Sequence, residues 1–401
     1  MRRVRAGARP FRRTHHRPTE RPGRIAISQL PLRAGILGAG TIATSASGYL
    51  VGLMELREVV TTVALADPAV DRARAVAGRY GIPQVYAGLD EMLAGADLDL
   101  VINLTPIPAH GATSRAILAA GKHLVVEKPI ATTLEEADEL IALARARGCT
   151  YVVAPPNLLY QNRVDARRLI REGAIGRPCF ARVRASHGGP AAGAWPLDPT
   201  WFYQEGSGPL LDMGVYGIHD ITGLLGPARR VVAFSGITEP VRTVRGGPFA
   251  GLEIAVTADD NTLLMLDFGG SLYAMIDGTF NVNAAKSPQL EIFGRAGTIN
   301  LYNEYQLRDD PTLPPLELFR LDAAPGIDGW IRPRQRPASG DLDDQWRRYQ
   351  RAILVKHLVD CVVADEHPTL SAEHARHALE IMLKAIESAR CGRALDLRTT
   401  F

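Results

Sequence analysis

Between residues 34 and 68 the chain runs through an order of features that few folds accommodate. Residues 34 to 37 form a short apolar run that passes directly into Gly38-Ala39-Gly40-Thr41-Ile42-Ala43. A helix-compatible segment extends from there to about Leu56, and residues 59 to 66 make a second apolar run closed by Asp67-Pro68. Strand, glycine turn, helix, strand and acid are the order that a dinucleotide-binding unit requires. Gly38 permits a tight turn, Gly40 lets a pyrophosphate approach the backbone, and Ala43 is small enough to keep helix close to strand. Pyrophosphate would then rest on the helix N-terminus at Thr41 and Ile42. Asp67 is placed to accept from the ribose hydroxyls of NAD and to repel the extra phosphate of NADP. The interval from Gly38 to Asp67 exceeds the usual spacing of about 20 residues, so the first helix or its exit loop is expected to be long.

The alternation continues through helix 71 to 80, strand 98 to 104, helix 113 to 120, strand 124 to 127, a capped helix from Thr133 to Arg147, and strand 151 to 154. This predicts an α/β chain whose Rossmann domain, a doubly wound parallel sheet, covers residues 31–154. Beyond it one helix at about 162 to 172 precedes strand-like segments at 180 to 185, 230 to 237, 252 to 257, 262 to 268, 271 to 280 and 289 to 293. Gly269-Gly270 marks a hairpin turn, and residues 372 to 390 read as a closing amphipathic helix. Residues 155–401 are therefore expected to form an α/β domain with a large, open, mostly antiparallel sheet. Residues 303 to 345, rich in proline and charge, read as loops with room for an insertion.

Charge narrows the classes of partner. The chain carries +3, but residues 1–30 hold nine arginines against Glu20 alone, a surplus of +8 that leaves the body at −5. The basic balance thus belongs to a tail expected to be disordered. No apolar segment follows Arg12-Arg13 as an export signal demands, and an acidic body argues against nucleic acid as a partner. No run approaches the ~18 apolar residues of a membrane helix. Cys149, Cys179, Cys361 and Cys391 lie far apart, without the spacing of a zinc site or a disulfide framework, which fits a cytoplasmic protein without a metal.

Four stretches can converge on one cleft. The first is the glycine turn with Asp67. The second is Asn103-Leu104-Thr105-Pro106, with His110 four residues on, at the end of a strand whose tip would face a nicotinamide. The third is Glu127-Lys128-Pro129, where a charged amine leaves a buried strand at the carboxyl edge of the sheet; a surface lysine opening a loop reads equally well from these residues alone. The fourth runs from Gly206 to Asp220. If residues 211 to 225 are helical, Asp212, Tyr216 and His219 fall at i, i+4 and i+7, a carboxylate, a phenol and an imidazole on one stripe. Asp212 also reads as an N-cap, and Tyr216 with His219 as a buried hydrogen-bonded pair. Trp195, Trp201, Phe202 and Tyr203, with Asn157 and Tyr160, are candidates for a wall against a sugar face. His374 and His377 share a helix face that reads as solvated.

The chain resembles the glucose-fructose oxidoreductase / inositol dehydrogenase family, Gfo/Idh/MocA. The matching stretches are GILGAGTIA from Gly35, VALADP from Val63, VINLTPIPAH from Val101, AGKHLVVEKPIATTLEEADEL from Ala120, GSGPLLDMGVYGIHDITGLLG from Gly206 and HPTLSAEHARHALEIMLKAIESARCGR from His367. The resemblance implies NAD, with NADP less favoured, held by Gly38, Gly40, Thr41, Ile42, Asp67, Thr105, Pro106, His110, Glu127 and Lys128. It carries the family's catalytic lysine onto Lys128, whose following proline is typically cis, and its helix aspartate onto Asp212. Where the common pattern has histidine this chain has Tyr216, which resembles the subgroup of glucose-fructose oxidoreductase and dihydrodiol or xylose dehydrogenases; there the tyrosine is the acid/base, with His219 here as a candidate relay. The activity implied is hydride transfer between NAD(P) and a secondary alcohol or ketone of a sugar, cyclitol or related polyol, in a homodimer or homotetramer built through the open sheet. Some relatives instead retain NAD to cleave glycosides, and a few are sensors of nucleotide or sugar.

Overall fold

A computed structural model of the protein describes residues 30–333 and 348–401. The basic tail expected over residues 1–30 lies outside the described residues except for Leu30, as do residues 334 to 345 of the stretch read as loops.

Six short strands form the first sheet: β1 (Leu32–Leu37), β2 (Val60–Ala66), β3 (Gln84–Tyr86), β4 (Leu100–Asn103), β5 (His123–Val126) and β6 (Tyr151–Val153). All pairings are parallel, in the order β3-β2-β1-β4-β5-β6. Helices cover both faces, which is why Leu124, Val125 and Val126 are consecutive yet all fully buried. Strand order reverses between β1 and β4, and the carboxyl ends on either side of that reversal open the crevice where such sheets bind ligands. The extra length expected of the first helix or its exit is taken up by two pieces, α1 (Thr41–Thr44) and α2 (Tyr49–Glu55), parted by a break at residues 45 to 48. Gly52 on α2 explains the second piece: a Cβ there would run into the backbone carbonyl of Tyr349, so its absence lets the segment before residue 353 lie directly on the helix. The remaining helices of this layer are α3 (Val70–Tyr80), α4 (Leu89–Gly95), α5 (His110–Ala119) and α6 (Leu134–Arg147), the last capped by the Thr133 side chain.

Past α7 (Gln161–Arg171), with α8 (Val215–Leu225) following its first strand, the second sheet assembles from nine strands. These are β7 (Pro178–Arg184), β8 (Arg230–Gly236), β11 (Asn261–Gly269), β12 (Leu272–Thr279), β13 (Leu290–Gly294), β14 (Gly297–Leu301), β15 (Leu316–Ala324), β16 (Ile327–Ile331) and β17 (Leu395–Asp396). Only β7 and β12 pair in parallel. A separate hairpin, β9 (Val241–Thr243) with β10 (Glu253–Ala255), stands beside the sheet. Helix α9 (Glu304–Asp309) and the hairpin β15–β16 correct the reading of residues 303 to 345 as loops. The hairpin's period-2 pattern is weak because only Leu316 and Leu318 of β15 reach the core. One face of the sheet packs Val183, Leu264, Leu266, Ala274, Ile276 and Ile292 under α7 and α8, while Phe234, Leu263, Met265, Tyr273 and Met275 point the other way and are exposed.

The last two long helices join the sheets. Helix α10 (Ile353–Ala364) returns to the first sheet, where Leu354, Val355, Leu358 and Val359 share a core with Ile36 and Ile102. Helix α11 (Ala372–Cys391) lies between the sheets, in one cluster with Leu140 of α6 and Val231 of β8. His374 and His377, read as a solvated face, are buried on it. His374 Nε2 pairs with Thr222 Oγ1 at 2.7 Å and His377 Nε2 accepts from Ala228 N at 3.0 Å, so a helix enclosed on both sides consumes its polar residues as struts. Asp220 and Arg163 likewise tie α8 to α7 through a 3.1 Å ion pair that water does not reach.

Candidate active site

At the mouth of β5 the buried run Leu124-Val125-Val126 ends and Glu127, Lys128 and Pro129 follow, the Lys128–Pro129 peptide being cis. The Lys128 side chain crosses to the second unit, where Nζ donates to the Asp212 carbonyl oxygen at 2.9 Å and to Asp212 Oδ1 at 3.0 Å. Both partners are mostly shielded, with side chains 15 % and 21 % exposed. The same ammonium stands 5.3 Å from the centroid of the Tyr216 ring, within cation–π range. Burial alone would lower the Lys128 pKa, but Asp212, then Tyr216 and Glu127, override it and hold the amine above its ordinary value. Lysine, carboxylate and phenol thus meet in one place.

Local structure explains how. Leu210–Gly214 winds as a single π turn before α8 begins, a widening that recurs at functional sites. Asp212 lies inside that turn and makes no side-chain cap, which corrects its reading as an N-cap: the carboxylate goes to Lys128. Four residues on, Tyr216 occupies the same side of the helix.

Behind Lys128, Glu127 is joined by two residues that sequence reasoning missed, Tyr49 and Arg351. Glu127 Oε1 accepts from the Tyr49 hydroxyl at 3.1 Å and pairs with Arg351 Nη1 at 3.4 Å, while Oε2 accepts from the Lys128 backbone N–H at 3.3 Å. Burial would lower the Arg351 pKa; Glu127, then Tyr216 and Tyr49, raise it beyond its ordinary value. Tyr49 is pushed well up, first by burial and then by Glu127. Tyr216 therefore faces two cations, Lys128 and Arg351. His187 also escaped notice: just past β7, its Nδ1 accepts from Gly189 N at 2.9 Å, leaving Nε2 as the protonated nitrogen. Burial lowers its pKa against the opposing charge of Asp212, which marks the two as neighbours.

The cofactor side of the crevice has the backbone that a dinucleotide needs. Gly38 takes φ +107°, and a Cβ there would sit 2.9 Å from the Leu104 carbonyl oxygen, so the turn demands glycine. A Cβ at Gly40 would meet nothing within 4 Å, which leaves open space beside the first N–H groups of α1, at Thr41 and Ile42, that have no intrahelical partner. Ala39 N donates to Asp67 Oδ2 at 2.8 Å, tying the loop to the acid at the end of β2. Thr105 hydrogen-bonds Asn103 Oδ1 through its hydroxyl at 2.8 Å, which sets the Thr105-Pro106 turn at the end of β4. These features fit a dinucleotide. His110 is a correction: Nδ1 lies 2.7 Å from the Pro129 carbonyl oxygen and Nε2 2.9 Å from that of Thr105. Buried between the two, it braces the turns after β4 and β5 against each other and presents no free nitrogen to a ligand.

Three of the other sequence candidates, His219, Asn157 and Tyr203, are buried in the core. His219 is 2 % exposed, packs 4.5 Å from the His374 ring, and its Nδ1 has no partner. Three-residue spacing offsets two side chains by only about 60° around a helix, yet that places His219 against His374 in the core while Tyr216 meets Lys128, which corrects the shared stripe. Burial, then His377, pushes its pKa down to about 3. Asn157 is buried with Nδ2 3.4 Å from Asp220 Oδ2. The guanidinium of Arg163 covers the Tyr160 ring at 5.9 Å. Tyr203 is 1 % exposed and its hydroxyl accepts from Ala191 N at 3.0 Å; Asn157 and Tyr203 are thus packing residues. Trp201 is exposed, and Trp195 meets Phe202 edge-on at 5.7 Å. Among the described residues no three His, Cys, Asp or Glu side chains group as metal ligands.

Comparison with known proteins agrees with this layout. Residues 32–154 match the oxidoreductase family described by its NAD-binding Rossmann fold, and residues 164–300 match the GFO/IDH/MocA C-terminal domain. An uncharacterized oxidoreductase of Rhizobium meliloti is 31 % identical over 70 % of this chain and 77 % of its own length. The 1,5-anhydro-D-fructose reductase of Ensifer adhaerens is 26 % identical over 92 % of this chain and 99 % of its own. The crystal structure of an oxidoreductase domain protein from Kribbella flavida superposes with a TM-score of 0.78 at 20 % identity, covering 92 % of this chain and 99 % of that one.

Proposed function

This chain belongs to the Gfo/Idh/MocA family of oxidoreductases, and from that premise we propose that it exchanges a hydride with the carbon of a secondary alcohol or ketone on a sugar, cyclitol or related polyol. The observation that carries the reading is the meeting of Lys128, Asp212 and Tyr216 at the crevice mouth. Gly38, Gly40, Thr41, Ile42 and Asp67 would hold the dinucleotide, proposed as NAD, with Thr105 and Pro106 at its nicotinamide end. Nicotinamide, when bound, supplies the hydride acceptor or donor.

Chemistry at the oxygen then falls to the protein. A lysine held above its ordinary value remains an ammonium at neutral pH, so Lys128 donates a hydrogen bond to the reacting oxygen and does not carry its proton away. That assigns the proton to Tyr216, which stands between Lys128 and Arg351. Asp212 keeps Lys128 aimed, and Glu127 does the same for Arg351. His187, with its Nε2 proton, is placed to donate to a second hydroxyl. The resemblance to a sugar reductase supports the substrate class.

We also propose that a second copy of this chain covers the exposed face of Phe234, Leu263, Met265, Tyr273 and Met275, since a contiguous apolar patch of this kind marks an interface. All four cysteines are unpaired, which supports a reducing, cytoplasmic setting. Among the described residues no helix is long and apolar enough to cross a membrane. The test of function is incubation of the protein with NAD and with NADP against a library of sugars and polyols, read by nicotinamide absorbance. Reduction with at least one polyol is expected; no absorbance change across the library with either dinucleotide, in both directions, would defeat the proposal.

A further inference from the structure

Asp67 does not present a bare carboxylate to the ribose site. Its Oδ1 accepts from Ala69 N at 2.8 Å and from Arg72 Nη2 at 2.7 Å; its Oδ2 accepts from Ala39 N at 2.8 Å and from the same Arg72 nitrogen at 3.0 Å. An ionised carboxyl has about four acceptor positions, and all are taken by the protein's own donors. The Asp67 side chain is 4 % exposed, whereas that of Arg72 is 54 % exposed. What solvent, or a ligand, meets at the end of β2 is therefore the guanidinium and not the acid. The other charges of this turn, Asp71 and Arg74, pair with each other at 3.3 Å and leave Arg72 to Asp67 alone.

We propose that Arg72 sets the dinucleotide choice of this protein: by covering Asp67 it cancels the repulsion an acid at this position exerts on a 2′-phosphate, so the site takes NADP as well as NAD. The inference rests on the reading of the chain as a nicotinamide-dependent enzyme. Only one Arg72 nitrogen is spent on Asp67, and the remaining donors of the planar fork match the geometry of a phosphate. A 2′-phosphate can thus bind without breaking the ion pair. A 2′-hydroxyl either accepts from Arg72 or displaces it to donate to Asp67. Both ligands find a partner, and neither meets an unpaired charge.

Binding separates this from its alternatives without recourse to turnover. NADH and NADPH are titrated into the full-length protein at low ionic strength, by calorimetry or fluorescence, for wild type, Arg72→Gln, Arg72→Lys and Asp67→Asn. Wild type is expected to bind the two within about tenfold of each other. Arg72→Gln is expected to weaken NADPH at least tenfold, the loss of a charge-assisted hydrogen bond, while NADH changes by less than about threefold. Arg72→Lys should keep the charge and recover most of the NADPH affinity, and Asp67→Asn should tilt the ratio toward NADPH. A wild-type preference for NADH above about tenfold, or a ratio unmoved by Arg72→Gln, would overturn the proposal while leaving nicotinamide binding intact. Failure of wild type to bind either dinucleotide would instead remove the reading on which it rests.

Discussion

Two sides of one helix treat ionisable groups in opposite ways. On one side of the 210 to 225 segment, Asp212 and Tyr216 face Lys128 and Arg351, and the cations are held above their ordinary values because acids and phenols outweigh burial. On the other, His219 packs on His374 with His377 near by, and burial pushes His219 down to about 3 and His377 to about 4. Burial is common to both sides. What differs is the supply of countercharge, and only the side that has it keeps charged groups at neutral pH. Ionisable side chains at helical spacing mark chemistry only where the opposite charge and an opening accompany them.

The sharpest way to break this contrast is to substitute one residue on each side. Tyr216→Phe is expected to lower turnover by on the order of 10²–10⁴-fold, the worth of a general acid/base. His219→Gln should change turnover by less than about threefold, its effect appearing in a lower Tm. Steady-state kinetics on the best polyol decides, and equal losses would put His219 back among the reacting groups.

A smaller effect is expected at Arg351, which acts through the phenol and Glu127. Arg351→Met should reduce kcat/KM about tenfold and move its acid limb to higher pH for alcohol oxidation, with partial recovery in Arg351→Lys. A uniform loss with an unmoved pH profile would assign Arg351 a structural role only.

Smallest in activity, though visible in stability, is the acid response of the buried side. A histidine whose folded pKa lies below its unfolded value of about 6.5 favours the folded state above that value, and this is lost as pH falls toward the folded value. For His377 and His219 the window runs from about 6.5 down through about 4 and about 3. His367 works in the opposite sense, its pKa raised by Glu373, which is held at about 2, so a difference measurement is needed. Denaturant unfolding between pH 7 and 4.5 should show a smaller loss in His219→Gln than in wild type. Identical losses would mean that His219 is not the neutral group described.

These contrasts also show what was legible in the sequence. The first sheet, its glycine turn and the Glu127-Lys128-Pro129 mouth could be read because each is local: a strand, its turn and its next helix are contiguous in the chain. Asp212 and Tyr216 were legible as a spacing, although the π turn and the loss of the N-cap role were not. Arg351 was invisible for the opposite reason, since 224 residues separate it from Glu127 and it follows a stretch whose composition resembles loop. His374 and His377 misled because three-residue spacing states that two groups share a face and leaves unsaid whether a sheet lies over it. The hairpin β15–β16 was lost because only the start of β15 is buried, and the alternation fades where the strand leaves the core.

The central claim is that Lys128 and Tyr216 serve one oxygen together. A double-mutant cycle on kcat/KM with Lys128→Met, Tyr216→Phe and the double variant measures that coupling directly. The double variant is expected to fall no further than about threefold below the worse single one, because either loss already disables the pair. Losses that multiply would show two groups acting independently, and the shared site described for them would be wrong.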